Sequence, residues 1–136
     1  MNKERIDRLF EILNLGNVDE EKAYQEMQAF FSMEDIYNEE ELEEKVDNFM
    51  QDIEKSGLID YFLSKAKENK ENECVRGILC GYFYDSISDD TILYKLIENP
   101  EEYGLDVRGA GHMLERIGDA RIYKKMDRKL ERRQKK

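Results

Sequence analysis

An all-α fold, built as a short stack of helix pairs with seven or eight helices, is what this sequence predicts, on three observations. Apolar residues recur at i, i+3, i+4 and i+7 in nearly every segment, the period of a helix with one buried face. No stretch alternates apolar with polar residues at strand length, and the hairpin dipeptides Asn-Gly and Asp-Gly are absent. The second half of the chain repeats with a period of 30 to 32 residues, each unit reading as two short helices, which is the pattern of an α-solenoid.

The elements follow in order. Ile6, Leu9, Phe10 and Leu13 share the face of a first helix, and Gly16 with Asn17 is placed to end it. Asp19 is an N-cap for a second helix, whose face carries Ala23, Met27, Phe30 and Phe31. Asn38 followed three residues later by Glu41 has the form of a capping box. Leu42, Val46, Phe49, Met50 and Ile53 then supply the buried stripe of a third helix, which Gly57 closes. Leu58, Phe62, Leu63 and Ala66 mark a fourth helix, and a polar joint from Glu68 to Glu73 precedes the next.

From Gly57 onward the units can be aligned. Val75-Arg76-Gly77 returns as Val107-Arg108-Gly109, 32 residues later, and Ser88 to Leu96 is matched by Gly118 to Met126, 30 residues later. One copy runs from about Gly57 to Ile87, the next from Ser88 to Ile117, and a half unit follows from Gly118. The stretch "DVRGAGHMLERIGDARIYKKM" resembles the Val-Arg start, small-residue helix and Ile-Gly-Asp-x-Arg close of HEAT-like repeat proteins, over roughly Gly57 to Leu130. That resemblance implies a right-handed stack of antiparallel helix pairs. It also implies that Arg76, Arg108, Asp89 and Asp119 form structural hydrogen bonds between neighbouring units. Gly77, Gly81, Gly109, Ala110 and Gly111 are expected to let helices approach closely, offsetting a helix cost of ~1 kcal/mol per glycine.

Length and composition agree with one domain over residues 1–136, with N-terminal helices in 1–56 and repeats plus a basic C-terminal helix in 57–136. A chain of 136 residues and 16.2 kDa, 40% charged and 40% hydrophobic with one proline, can bury a core without disulfides or metal. No apolar run approaches the ~18 residues needed to span a bilayer, and Met1 to Phe10 is charged, unlike a secretory signal. A cytoplasmic location is the expectation. Cys74 and Cys80 lie six residues apart on one expected helix and point to different sides, so they read as buried structural thiols that do not bridge.

The formal net charge of −10 is unevenly spread. Arg121 to Lys136 carries nine Lys or Arg against Asp127 and Glu131, a local +7, which leaves −17 on the preceding 120 residues. The densest acidic part, Asp19 to Glu54, has fourteen Asp or Glu against Lys22 and Lys45. A field of that sign repels nucleic acid and steers basic proteins toward the surface. The basic segment Lys124 to Lys136 could touch phosphate, but it lacks interleaved aromatics and suits the C-terminal end of its own helix.

Chemistry has few footholds. His112 and Glu115 make a His-x-x-Glu pair on one helix face, yet His112 is the chain's single histidine, and metal bundles of that type need a second. Cys80 and His112 occupy equivalent positions in the aligned units, which suits facing core residues better than a nucleophile and its base. Gly109-Ala110-Gly111 lacks the strand and the Lys-Ser or Lys-Thr of a phosphate loop. No cofactor and no metal site are expected.

The function expected from these features is that of an acidic protein-binding module without chemistry of its own. Size, charge and helical build resemble the immunity proteins that neutralise bacterial toxin domains by stoichiometric occlusion. The residues expected to touch a basic partner are Glu39, Glu40, Glu41, Glu43, Glu44 and Asp47, with Tyr82 and Tyr84 as aromatic anchors and Asp85 beside them. The competing expectations are a scaffold or adaptor subunit and, last, a small enzyme using His112 or a metal.

Overall fold

The computed structural model describes residues 1–106 together with 110, 111 and 113, and among these every regular element is helical. Up to Asp106 the described residues form six helices: α1 (Lys3–Leu15), α2 (Glu20–Phe30), α3 (Glu39–Lys55), α4 (Ile59–Glu68), α5 and α6 (Asp90–Glu98). In α5, α-helical turns at Glu73–Ile78 and Tyr84–Ser86 flank a π-helical segment, Leu79–Phe83. A 3₁₀ turn, Pro100–Tyr103, follows α6, and Ala110, Gly111 and Met113 are again helical.

Short polar side chains start most of these helices. Asn2, Asp19, Asn38, Asn72 and Asp89 each accept a hydrogen bond from a backbone N–H of the first turn, as expected for Asp19 and Asn38. The capping box at α3 forms only in part. Asn38 accepts from the Glu41 N–H at 3.1 Å, but the Glu41 carboxylate turns to the Glu34 N–H at 2.9 Å, while the Asn38 N–H goes to the Asp35 carbonyl. Glu41 thereby ties the α2–α3 loop to α3.

The end of α3 is closed by Gly57 at φ +69°, with the Leu58 N–H reaching back to the Ile53 carbonyl and the Gly57 N–H to that of Glu54. The same six-to-one closure ends α2, where Ser32 takes the left-handed position at φ +53°. It ends the 3₁₀ turn as well, with Gly104 at φ +72°.

The stripes expected to be buried are buried. Ile6, Leu9, Phe10 and Leu13 of α1 and Val46, Phe49, Met50 and Ile53 of α3 all lie in one continuous core with Phe62, Leu63 and Ala66 of α4. Leu42, Leu58, Met27 and Phe30 pack at its edge. α1 packs against α2, α4 and α5, and α3 packs against α4 and the C-terminal half of α5. Phe62 is the hinge of this arrangement, with its ring centroid 5.5 Å from that of Phe10 and stacked 5.5 Å from that of Phe83. Truncating a ring buried from three helices at once costs ~3–5 kcal/mol.

The polar joint between α4 and α5 also does structural work. Asn72 is buried; its amide donates to the Leu13 carbonyl at 3.1 Å and to the Asn14 side chain at 2.9 Å, while its oxygen caps the Cys74 N–H. Asn14 in turn donates to Asn69 at 2.9 Å. Asn72 thereby takes up the Leu13 carbonyl at the C-terminal end of α1, where the Ile12, Asn14 and Leu15 carbonyls are met by backbone N–H groups of Gly16 to Asp19.

Two expectations are corrected here. Cys74 is exposed and Cys80 half-buried, because the buried positions of α5 are Val75, Leu79 and Phe83, one residue away from each thiol. Among the described residues, Gly77, Gly81 and Gly111 do not mediate close helix approach, since a Cβ added at any of them would meet none of those residues within 4 Å.

Candidate functional site

The acidic residues of α3 fall into an ordered stripe. Glu40, Glu43, Glu44 and Asp47 stand at i, i+3, i+4 and i+7, so one helix face carries all four carboxylates beside the buried face of Val46 and Met50. Because α3 lies along the C-terminal half of α5, that stripe becomes one wall of a cleft of about 360 Å³, whose other wall is Gly81, Tyr82, Asp85 and Ser86. Six of the nine residues expected to touch a partner, Glu40, Glu43, Glu44, Asp47, Tyr82 and Asp85, are thus brought together.

The other three are placed differently. Glu41 is engaged with the Glu34 N–H. Glu39 is exposed at the first turn of α3 and acts on the cleft through its charge, which is felt at Tyr82. Tyr84 is half-buried against the core and is turned roughly half a helical turn from Tyr82, away from the cleft. Tyr82 is itself half-buried. Its phenol is pushed above the ordinary tyrosine value of 10.0 by burial first and then by the negative charges of Glu43 and Glu39.

Next to the acidic cleft lies a second cavity of about 310 Å³, which composition and spacing did not foretell. Its lining is almost wholly apolar and comes from four helices, with Met27 and Phe31 on one side, Leu42 and Val46 on another, and Gly77, Ile78 and Tyr82 at the α5 edge. Tyr82 belongs to both cavities. Gly77 borders the apolar one and Gly81 the acidic one, a single helical turn apart. The π-helical segment begins between them; such segments re-aim side chains and recur at functional sites.

The repeat residues divide between the described and undescribed parts of the chain. Arg76 makes an ion pair with Glu73 of its own helix at 3.5 Å. Asp89 caps α6, accepting from the Thr91 N–H at 3.0 Å and its hydroxyl at 2.6 Å. Arg108, Asp119, His112, Glu115 and the basic segment Lys124 to Lys136 lie outside the described residues. Glu54 of α3, which no repeat pattern marks, binds the Ser88 and Asp89 backbone.

As for chemistry, the Cys80 thiol is pushed above the ordinary value of 9.0, by burial first and then by Asp106, against the opposing effect of Arg76. That direction lowers the thiolate fraction and with it nucleophilicity at neutral pH. Among the described residues, no group of three or more His, Cys, Asp or Glu is arranged to hold a metal ion, and no helix is long and apolar enough to cross a membrane. What the arrangement offers is a two-part groove, apolar at one end and anionic at the other. Comparison with protein-family models, curated proteins and solved structures finds no match to this chain.

Proposed function

We propose that this protein is an acidic protein-binding module that blocks a basic partner by stoichiometric occlusion, in the manner of an immunity protein on a toxin domain. The observation that carries the reading is the convergence of Glu40, Glu43, Glu44, Asp47 and Asp85 around Tyr82 in one cleft. Five carboxylates on one concave surface repel one another, a destabilising arrangement that a cationic partner relieves. The helices on either side are packed before binding, so the surface is preformed and little ordering is needed on association.

The architecture in this reading is a HEAT-like stack in the cytoplasm. It is supported by the capped start of α6 at Asp89 and by the return of helix at Ala110 and Gly111, at the spacing the repeat requires. In this reading α1, which packs against both α4 and α5, serves as the N-terminal cap of that stack.

The test is affinity capture from the source cell with the wild-type chain and with a Glu40→Lys, Glu43→Lys, Glu44→Lys variant. The expected result is a basic protein retained at low salt by the wild type, lost with the variant, and inhibited fully at a one-to-one ratio. Retention of the same proteins by both chains would overturn the reading. Exposed substitutions of this kind cost under ~0.5 kcal/mol each, so the variant remains folded.

A further inference from the structure

Gly77 and Gly81 stand on the face of α5 that borders the groove, and neither has any atom within 4 Å of where a Cβ would be. Glycine in a helix costs ~1 kcal/mol relative to alanine. Among the described residues nothing offsets that cost at either position, since none comes close to the missing Cβ. The bare backbone faces outward, toward whatever enters the groove. A pair of glycines one turn apart is the condition under which a second helix can approach the first at backbone distance.

Gly77 marks the apolar cavity and Gly81 the acidic cleft, so the two halves of the groove follow one another along α5 at a spacing of ~6 Å, the rise of four helical residues. The apolar half, at about 310 Å³, has the volume of a small-molecule or side-chain pocket. Tyr82, the shared wall, presents an apolar ring to one half and a polar tip toward the carboxylates.

We propose that the two halves form a single docking groove for an amphipathic cationic helix of the partner. That helix crosses α5 over Gly77 and Gly81, inserts one bulky apolar side chain beside Ile78 and Tyr82, and sets a Lys or Arg one turn away against Glu43 and Asp47. Negative charge at one end and apolar lining at the other select this occupant over an anionic or uniformly polar one. The proposal rests on the basic-partner reading above and adds to it the secondary structure and spacing of the segment that binds.

Selection from a displayed library of random peptides of about 16 residues, roughly four helical turns, against the full chain tests it. The expected consensus is a bulky apolar residue with Lys or Arg three or four positions away. Two variants then read each half separately. Gly77→Leu, which puts a side chain into the mouth of the apolar cavity, should weaken the selected peptides about tenfold or more, as loss of a buried anchor does. Its own melting temperature should not fall, because leucine is the better helix former. Glu43→Lys with Asp47→Lys should weaken the peptides comparably, and the loss should shrink at high salt.

Cationic peptides without a fixed apolar position, bound equally by Gly77→Leu, would overturn the groove and leave the basic-partner reading standing. Peptides indifferent to the charge-reversed pair would overturn both.

Discussion

The Glu54 carboxylate, on the last turn of α3, accepts the Ser88 backbone N–H at 3.1 Å and the Ser88 hydroxyl at 2.8 Å, thirty-four residues along the chain. It takes the Asp89 N–H as well, at 3.1 Å, so one side chain fixes where α6 begins. Burial pushes the Glu54 pKa up, but the hydrogen bonds from Ser88 and Asp89 together outweigh burial and hold it below the ordinary 4.5. A carboxyl depressed in the folded state stabilises fully above its unfolded value and loses that contribution as pH falls through the folded one. Glu54→Gln should therefore cost about 1–2 kcal/mol at neutral pH, with a gap to wild type that narrows as the pH drops below the ordinary value. Urea midpoints at neutral and acid pH measure it, and a gap independent of pH would contradict the assignment.

Asn72 should be the least replaceable polar residue among those described. Asn72→Ala removes the cap of α5 and the donor to the Leu13 carbonyl together, leaving that buried carbonyl unpaired. The expected loss is about 2–3 kcal/mol, whereas Asn14→Ala, at the more exposed side of the same network, should cost about 1 kcal/mol or less. Thermal unfolding of the two variants gives the comparison directly. Equal losses would show that the network is not anchored at Asn72.

Ser32 holds a left-handed backbone at φ +53° that a side chain disfavours, and it is exposed, so nothing is lost by removing its hydroxymethyl group. Ser32→Gly should raise stability by about 0.5–1 kcal/mol, seen as a higher denaturant midpoint with an unchanged slope.

Gly104 is the opposite case. At φ +72° its missing Cβ would stand 2.1 Å from the Lys70 carbonyl oxygen, a backbone atom that cannot move aside alone. Gly104→Ala should lose about 3 kcal/mol or more and detach the 3₁₀ turn from the α4–α5 joint. Gly57→Ala carries the same left-handed strain with open space around it, and should cost only about 1–2 kcal/mol. Chemical denaturation of the pair separates the clash from the strain.

Gly77→Ala and Gly81→Ala should each stabilise the free protein by up to about 1 kcal/mol, because the new methyl group meets no neighbour and alanine favours helix. If the glycines were sites of close packing, overpacking would instead cost about 1–3 kcal/mol. The sign of the change in denaturant midpoint decides between the two.

Sequence alone determined the features whose physics acts within a helical turn or two. The caps at Asp19 and Asn38, the stop at Gly57 and the buried stripes of α1, α3 and α4 all depend on residues three to seven positions apart, and all were legible. The acidic stripe of α3 was legible for the same reason. Tertiary structure alone decided what faces that stripe. Tyr82 and Asp85 were marked by residue type, but their placement across the cleft follows from α3 packing on α5, while Tyr84, two residues on, is turned away.

The same holds for Gly77 and Gly81, which read as packing sites in a repeat and border the groove instead, and for Gly104, whose necessity comes from a carbonyl thirty-four residues earlier. Contacts at that distance are set by the summed burial of whole helix faces, a property of the packed chain to which no single short stretch of residues holds the key.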